Sequence, residues 1–179
     1  MTTDFETRPD TSKRVYLSYI DRTRKHYLKQ GFNNPYRWAH HSDSPFAALS
    51  KPLSESRLGL VTTAAEFDPA LGDQGPGAAY NNEAKFDRVY TRRSDTLPDL
   101  RISHIGYDRQ NAQIDDLGAY FPLARLQEAV AAGRIGELAS RFYAVPTLRS
   151  QRLTSDRDAP EILELMREDE VDIALLVAV

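Results

Sequence analysis

The chain has 179 residues, with 23 basic and 26 acidic side chains, a formal charge of −3 and no cysteine. That length suits one domain with a real core, and 41% hydrophobic residues, with nine Tyr, seven Phe and one Trp to place, argue against wholesale disorder. Without cysteine, these residues offer no disulfide framework, no Cys-ligated zinc or iron–sulfur site and no Cys nucleophile.

Residues 1–11 read as a frayed tail; Asp4, Glu6, Arg8 and Asp10 leave no room for the apolar core of a signal peptide. From Ser12 to Gln30 the spacing predicts an amphipathic helix. Thr11 or Ser12 caps it, Gly31 ends it, and Tyr16, Ile20, Thr23 and Tyr27 form one stripe. Lys13, Arg14, Arg22, Arg24, Lys25, Lys29 and Arg37 make this arm basic, with Asp21 as its one acid; the remainder carries a net −9. Such an arm either attracts its own acidic body or docks on an anionic surface. With an overall pI of 5.8 and no nucleic-acid module, nucleic acid is not an expected partner.

Residues 31–52 are broken by Asn33, Asn34, Pro35, Pro45 and Pro52, with Tyr36, Trp38 and Phe46 as anchors. Arg57 to Thr63 is a short apolar run ending in hydroxyls and reads as a buried strand. Ala64 to Pro98 is read as a long irregular loop around Asp73-Gln74-Gly75-Pro76-Gly77. Leu100 to His104 alternates and reads as a second strand, neighbouring the first. Pro122 to Ala132 is a helix stopped by Gly133, and Phe142 to Val145 a short strand. Ala159 to Glu168 is a second helix, with Asp158 at its cap and Pro160 in its first turn. It leads into Val171 to Val179, whose seven consecutive apolar residues read as a central parallel strand covered on both faces. Strand, crossover helix and strand predict an open, mostly parallel α/β sheet, Rossmann-like in three layers, with residues 12–179 as a single domain. The longest apolar run is far short of the roughly 20 residues a membrane helix needs, so a cytoplasmic protein is expected.

In open α/β sheets ligands bind outside the carboxyl ends of the strands, which directs attention to residues there. Thr62 and Thr63 offer hydroxyls for a substrate carboxylate or phosphate, or alternatively cap the next turn. His104, followed by Tyr107 and Asp108, is a candidate acid–base group tuned by a carboxylate; the competing reading has it satisfying loop carbonyls. His40 and His41 are adjacent, a poor geometry for one metal, and His26 sits on the basic helix. Glu66 and Asp68 have no partner at a defined spacing. No phosphate loop, dinucleotide fingerprint or serine nucleophile elbow occurs.

Several segments taken in order carry a family likeness. They are Lys51-Pro52-Leu53-Ser54-Glu55-Ser56-Arg57-Leu58-Gly59-Leu60-Val61-Thr62-Thr63-Ala64, Arg101-Ile102-Ser103-His104 and Phe121-Pro122-Leu123-Ala124-Arg125-Leu126. Gly133-Arg134-Ile135-Gly136 with Leu138-Ala139, Ala159-Pro160-Glu161 and Val171-Asp172-Ile173-Ala174-Leu175-Leu176-Val177 complete the set. Over residues 45–179 the chain resembles the selenoprotein B family of glycine, sarcosine, betaine and D-proline reductases, in particular its short bacterial homologues. In that family the last apolar strand is followed by a motif resembling Cys/Sec-Pro-x-Cys-His, whose first residue is the reactive thiol or selenol. The resemblance therefore implies one of two things: selenocysteine or cysteine immediately after Val179, with the sequence stopping at an in-frame UGA, or a true short relative or fragment of the family with no redox residue. It implies reductive cleavage of a carbon–nitrogen bond in a small amino acid or amine derivative, a thiol electron-donor protein and a partner subunit. Its match at Arg101, Ser103 and His104 raises His104 as a catalytic candidate, with Asp108 a weaker one; Arg101, Ser103 and Tyr107 join Thr62 and Thr63 as substrate-binding candidates.

Two other functions compete. One is a non-catalytic small-molecule-binding or accessory subunit of the same fold. The other is a protein that docks a larger assembly through its basic helix. No cofactor and no metal site are expected within the chain itself.

Overall fold

The computed structural model describes residues 18–34, 43, 47–66, 70, 86–102, 116–146 and 150–178. By its contacts the chain divides into two compact units, 1–45 and 46–179.

In the first unit, helix α1 spans Ser18–Lys29. Gly31, at φ 87°, turns the chain out of it. The Gly31 N–H donates to the Leu28 carbonyl at 3.1 Å and the Phe32 N–H to the Tyr27 carbonyl at 3.0 Å. This pattern needs a residue that tolerates the left-handed region, and it brings the flanking apolar residues together. The Tyr27 and Phe32 rings accordingly meet edge to face at 5.9 Å.

The second unit is built on β1 (Arg57–Thr62), the most deeply buried strand. One edge of β1 pairs in parallel with β5 (Glu137–Leu138) and then with β6 (Arg141–Ala144); the other pairs in parallel with β7 (Ile173–Val177). Leu58 faces Leu138 but Val61 faces Tyr143, so Ala139 and Ser140 bulge between β5 and β6. Beyond β6 lies β3 (Tyr90–Arg93), antiparallel. A separate two-stranded antiparallel sheet joins β2 (Ala65–Glu66) to β4 (Leu100–Arg101). The fold is α/β with a mixed, mostly parallel sheet.

Period-2 alternation along β1 sends its side chains to two different cores. Leu58 and Leu60 pack with Leu123, Leu126 and Ala129 of α2 (Leu123–Ala131), and with Phe121, Tyr120 and Phe142. Phe121 and Phe142 meet edge to face at 4.8 Å, the geometry their ring quadrupoles favour. Val61, on the opposite face, packs with Tyr143 and with Ile162 and Met166 of α4 (Ala159–Glu168). Helices thus lie on both faces of β1.

The segment before α4 differs from expectation. Asp158 has helical φ and ψ and makes no cap hydrogen bond. Ser150 is the cap instead, its Oγ accepting from the Leu153 N–H, and α3 (Gln151–Leu153) runs through a π-turn at Thr154–Asp158 into α4. Pro160 supplies the reason. In an unbroken α-helix its ring would meet the carbonyl four residues back, and the wider turn just before it relieves that clash.

Three strand expectations are corrected. β7 is not central: among the described residues it pairs only with β1. Nor is it covered on both faces, because Ala174, Leu176 and Ala178 are exposed, Leu176 at 73%. Leu100–Arg101 joins β2 and does not neighbour β1 in the main sheet. Finally, the stretch read as a loop from Ala64 to Pro98 contains β2 and β3. No helix among the described residues is long and apolar enough to cross a membrane.

Candidate functional site

All three partners of β1 run parallel to it, and β6 and β7 end beside Thr62, so the carboxyl ends of β1, β6 and β7 converge at one end of the sheet. Thr62 pairs there with Ala144 of β6 and Val177 of β7. Thr62 is fully buried, and its Oγ1 accepts the Ala64 N–H at 3.1 Å. This local bond satisfies a buried backbone donor where the ladder stops, and it turns the chain out of β1. β2 follows at once, and its pairing of Ala65 with Arg101 ties β4 to this end. Thr62, Thr63 and Arg101 are therefore brought to one region of the fold. Ser103, His104, Tyr107 and Asp108 lie outside the described residues, as do His40, His41 and Asp68.

Polar side chains gather around that end. The Tyr90 hydroxyl donates to the Ala64 carbonyl at 2.8 Å. Burial first, and then the nearby Glu66 carboxylate, hold Tyr90 well above the ordinary phenol range, so it acts as a donor. Arg92 forks onto Glu66, with Nε to Oε1 at 2.7 Å and Nη2 to Oε2 at 2.5 Å, while its guanidinium lies 5.5 Å from the Tyr90 ring centroid. Glu66 thus has a partner 26 residues along the chain, supplied by a strand that its sequence did not reveal. Arg101 pairs with Asp99 and donates from Nη1 to the Leu100 carbonyl at 3.0 Å, and the Tyr120 hydroxyl donates to the same carbonyl at 3.0 Å.

Since α4 leads into a strand parallel to β1, its amino end lies at this same end of the sheet. Asp158 is 1% exposed there. Its Oδ1 accepts from Arg157 Nε at 2.7 Å, Arg157 Nη2 donates to the Asp87 carbonyl at 2.8 Å, and Asp158 Oδ2 has no partner among the described residues. The sequence pattern places Asp158 at a helix cap, which it is not. The nearby signal for something else was Pro160, which favours a widened turn ahead of it.

The opposite, amino end of the sheet holds a cavity of about 310 Å³ lined by Arg57, Glu137, Leu138, Ser140 and Asp169. Its charges are satisfied internally. Arg57 Nε donates to Glu137 at 2.9 Å, and its Nη1 donates to Glu170 at 3.0 Å and to the Asp169 carbonyl at 2.7 Å. Arg141 Nε donates to Asp169 Oδ2 at 2.6 Å, Arg141 Nη2 to Glu168 at 3.0 Å, and the Tyr143 hydroxyl donates to Asp169. This mutually paired network stitches the α4–β7 corner to β1 and β6. It lies at the wrong end of a parallel sheet for a ligand.

Charges are paired at both ends, and the carboxyl end is the better candidate because it is where ligands of parallel sheets bind. Among the described residues, no group of three His, Asp or Glu side chains could hold a metal. His26 sits on α1, its Nε2 lying 3.0 Å from Gln30 Nε2. Comparison of the chain with protein-family models, with curated proteins and with solved structures gives no match.

Proposed function

We propose that this chain is a cytoplasmic α/β oxidoreductase of the selenoprotein B-like kind, Rossmann-like in its three layers, with the basic amphipathic helix 12–30 as an appendage. Its substrate is an amino acid or small amine derivative. One observation carries the reading. The parallel pairing of Thr62 with Val177 aligns the carboxyl ends of β1 and β7, so a residue continuing β7 would emerge beside Thr62, Thr63 and the strand that holds Arg101.

A thiol or selenol in that position, followed by a helix, would meet the helix's positive end, which lowers its pKa and stabilises the anion. Arg101, Thr62, Thr63, Ser103 and Tyr107 would bind the substrate, and His104, supported by Asp108, would deliver the proton. Reductive cleavage turns one C–N bond into C–H and N–H. The two electrons and two protons come from a thiol-carrying donor protein, whose dithiol becomes a disulfide. A partner subunit belongs to this reading; a membrane and a nucleic acid do not.

The test is the nucleotide sequence after the Val179 codon. An in-frame UGA followed by codons for a Pro-x-Cys-His run is the expected result. A UAA or UAG with no coding sequence beyond it would sink the proposal and leave a non-catalytic binding or accessory subunit as the better description.

A further inference from the structure

Asp158 stands where an aliphatic side chain would be expected. Apart from it, every residue from Ser150 to Glu161 is exposed or half-buried, whereas Asp158 is 1% exposed. It begins the row Asp158, Ile162 and Met166, spaced by four and so stacked on one side of the helix. Ile162 and Met166 pack on the sheet against Val61 of β1 and Tyr143 of β6. α4 runs back along the sheet before β7, so the same row, one turn ahead of Ile162, reaches the carboxyl ends of β1 and β6. Arg157 confirms the place: its Nη2 donates to the carbonyl of Asp87, three residues before Tyr90, and Tyr90 pairs with Ala144 at that end. The π-turn of Thr154–Asp158 ends on this residue, and single widened turns of that kind recur at functional sites.

We propose that Asp158 Oδ2 accepts a hydrogen bond from the protonated amino group of a small primary or secondary amine. The inference rests on the amine-substrate reading above and adds to it the residue that holds the nitrogen. The carboxylate is only half satisfied. Arg157 Nε donates to Oδ1, and among the described residues nothing donates to Oδ2. An ionised carboxyl has lone pairs and no proton to give, so what completes it is a donor and not an anion. Arg157 is already engaged by Oδ1 and by the Asp87 carbonyl, so that donor comes from a separate molecule. Its charge follows from the choice of side chain. A neutral donor would be served by the carbonyl of an asparagine, with no charge to bury. A carboxylate at this depth is costly on its own and recovers the cost best from a cationic N–H, in a charge-assisted bond. A quaternary ammonium carries the charge but no N–H, and it therefore cannot complete Oδ2.

Isothermal titration calorimetry of the full 179-residue chain with glycine, sarcosine, betaine and acetate at pH 7 tests this. Glycine and sarcosine, which carry N–H donors, should bind at least tenfold more tightly than betaine, which has none, and acetate should not bind. This series needs no variant. Betaine or acetate binding as tightly as glycine would overturn the proposal and leave the family reading untouched. Asp158→Asn keeps the shape and the bond from Arg157 but turns an NH2 toward the ligand. It should weaken glycine at least tenfold while the urea midpoint stays level or rises, because a buried charge is removed. An asparagine variant that binds glycine like the wild type would also overturn the proposal. So would a wild-type chain that binds none of the three amines, whereas the reductase reading itself is decided by the codon after Val179.

Discussion

Asp169 is the hub of the amino-end network, and replacing it with asparagine isolates the contribution of its charge. The side chain is 15% exposed, accepts from Arg141 Nε at 2.6 Å and from the Tyr143 hydroxyl, and sits at the turn that links α4 to β7. Burial alone would raise its pKa. The Arg141 and Tyr143 hydrogen bonds, with the charges of Arg141 and Arg57, outweigh burial and hold it below the ordinary carboxylate range. Tyr143, lifted by burial and by Asp169, stays protonated and remains the donor. Hydrogen bonds to charged groups contribute about 1.5–3 kcal/mol each. Asparagine keeps the shape, and Glu168 still pairs with Arg141, so the expected loss is about 2 kcal/mol, or roughly 6 °C in Tm for a domain of this size.

The pH dependence follows from the depressed pKa. A carboxylate that is more acidic folded than unfolded contributes its full stabilisation above the unfolded pKa, near 3.9, and loses it as pH falls through the lower folded value. Urea unfolding of wild type and Asp169→Asn should therefore differ most at neutral pH and converge as pH falls through the lowered folded pKa. Tyr143→Phe should cost about 1 kcal/mol alone and less in the Asp169→Asn background, because the two share one hydrogen bond. Equal stability at pH 7, or a gap that widens in acid, would refute the reasoning.

Gly136 is packed against backbone: a Cβ there would stand 2.8 Å from the Glu55 carbonyl carbon and 2.9 Å from the Ser56 nitrogen and oxygen. Gly136→Ala should cost about 2–3 kcal/mol in urea unfolding, and more than Gly59→Ala, whose Cβ meets only side chains of Val171 and Tyr143 at 3.1–3.3 Å. Glu170 closes α4 in the left-handed region at φ 53°, and its side-chain pair with Arg57 is largely exposed. Glu170→Gly should raise the unfolding free energy by about 0.5–1 kcal/mol, read as a higher denaturant midpoint, since the relief of strain exceeds the loss of a surface ion pair; a lowered midpoint would refute this. Thr62→Val keeps the volume at the end of β1 but strands the buried Ala64 N–H, at a cost of about 1–3 kcal/mol, and Thr62→Ser should recover most of it. If serine and valine destabilise equally, the Thr62 hydroxyl is not what turns the chain.

Elements whose signal is local were legible in advance. β1 is a run of apolar residues bounded by Arg57 and Thr62. α2 and α4 carry apolar residues at helical spacing, and Gly133, at φ 68°, stops the chain after α2 where it was expected to. β3 was not legible, because Tyr-Thr-Arg-Arg is half polar and becomes a strand only when β6 supplies the ladder beside it. Of the candidate site, the sequence identified Thr62, Thr63 and Arg101 as chemistry-bearing residues. Their meeting depends on Ala65 pairing with Arg101 across 36 residues, a contact no local pattern encodes. The fork from Arg92 to Glu66 and the unpartnered Asp158 oxygen are long-range products of the same kind.

The closing strand divides the two contributions most clearly. Composition by itself determined that Ile173–Val177 is an apolar strand, since both its faces carry aliphatic side chains. For the same reason it was silent on which face is covered and whether the strand is central. Only the tertiary arrangement decided that. α4 settles over Val61 and Tyr143, Ile173 and Leu175 turn toward the α2 core, and Leu176 is left in solvent. Hydrophobicity tells a residue what environment it favours, but which neighbour covers it depends on where the rest of the chain comes to rest.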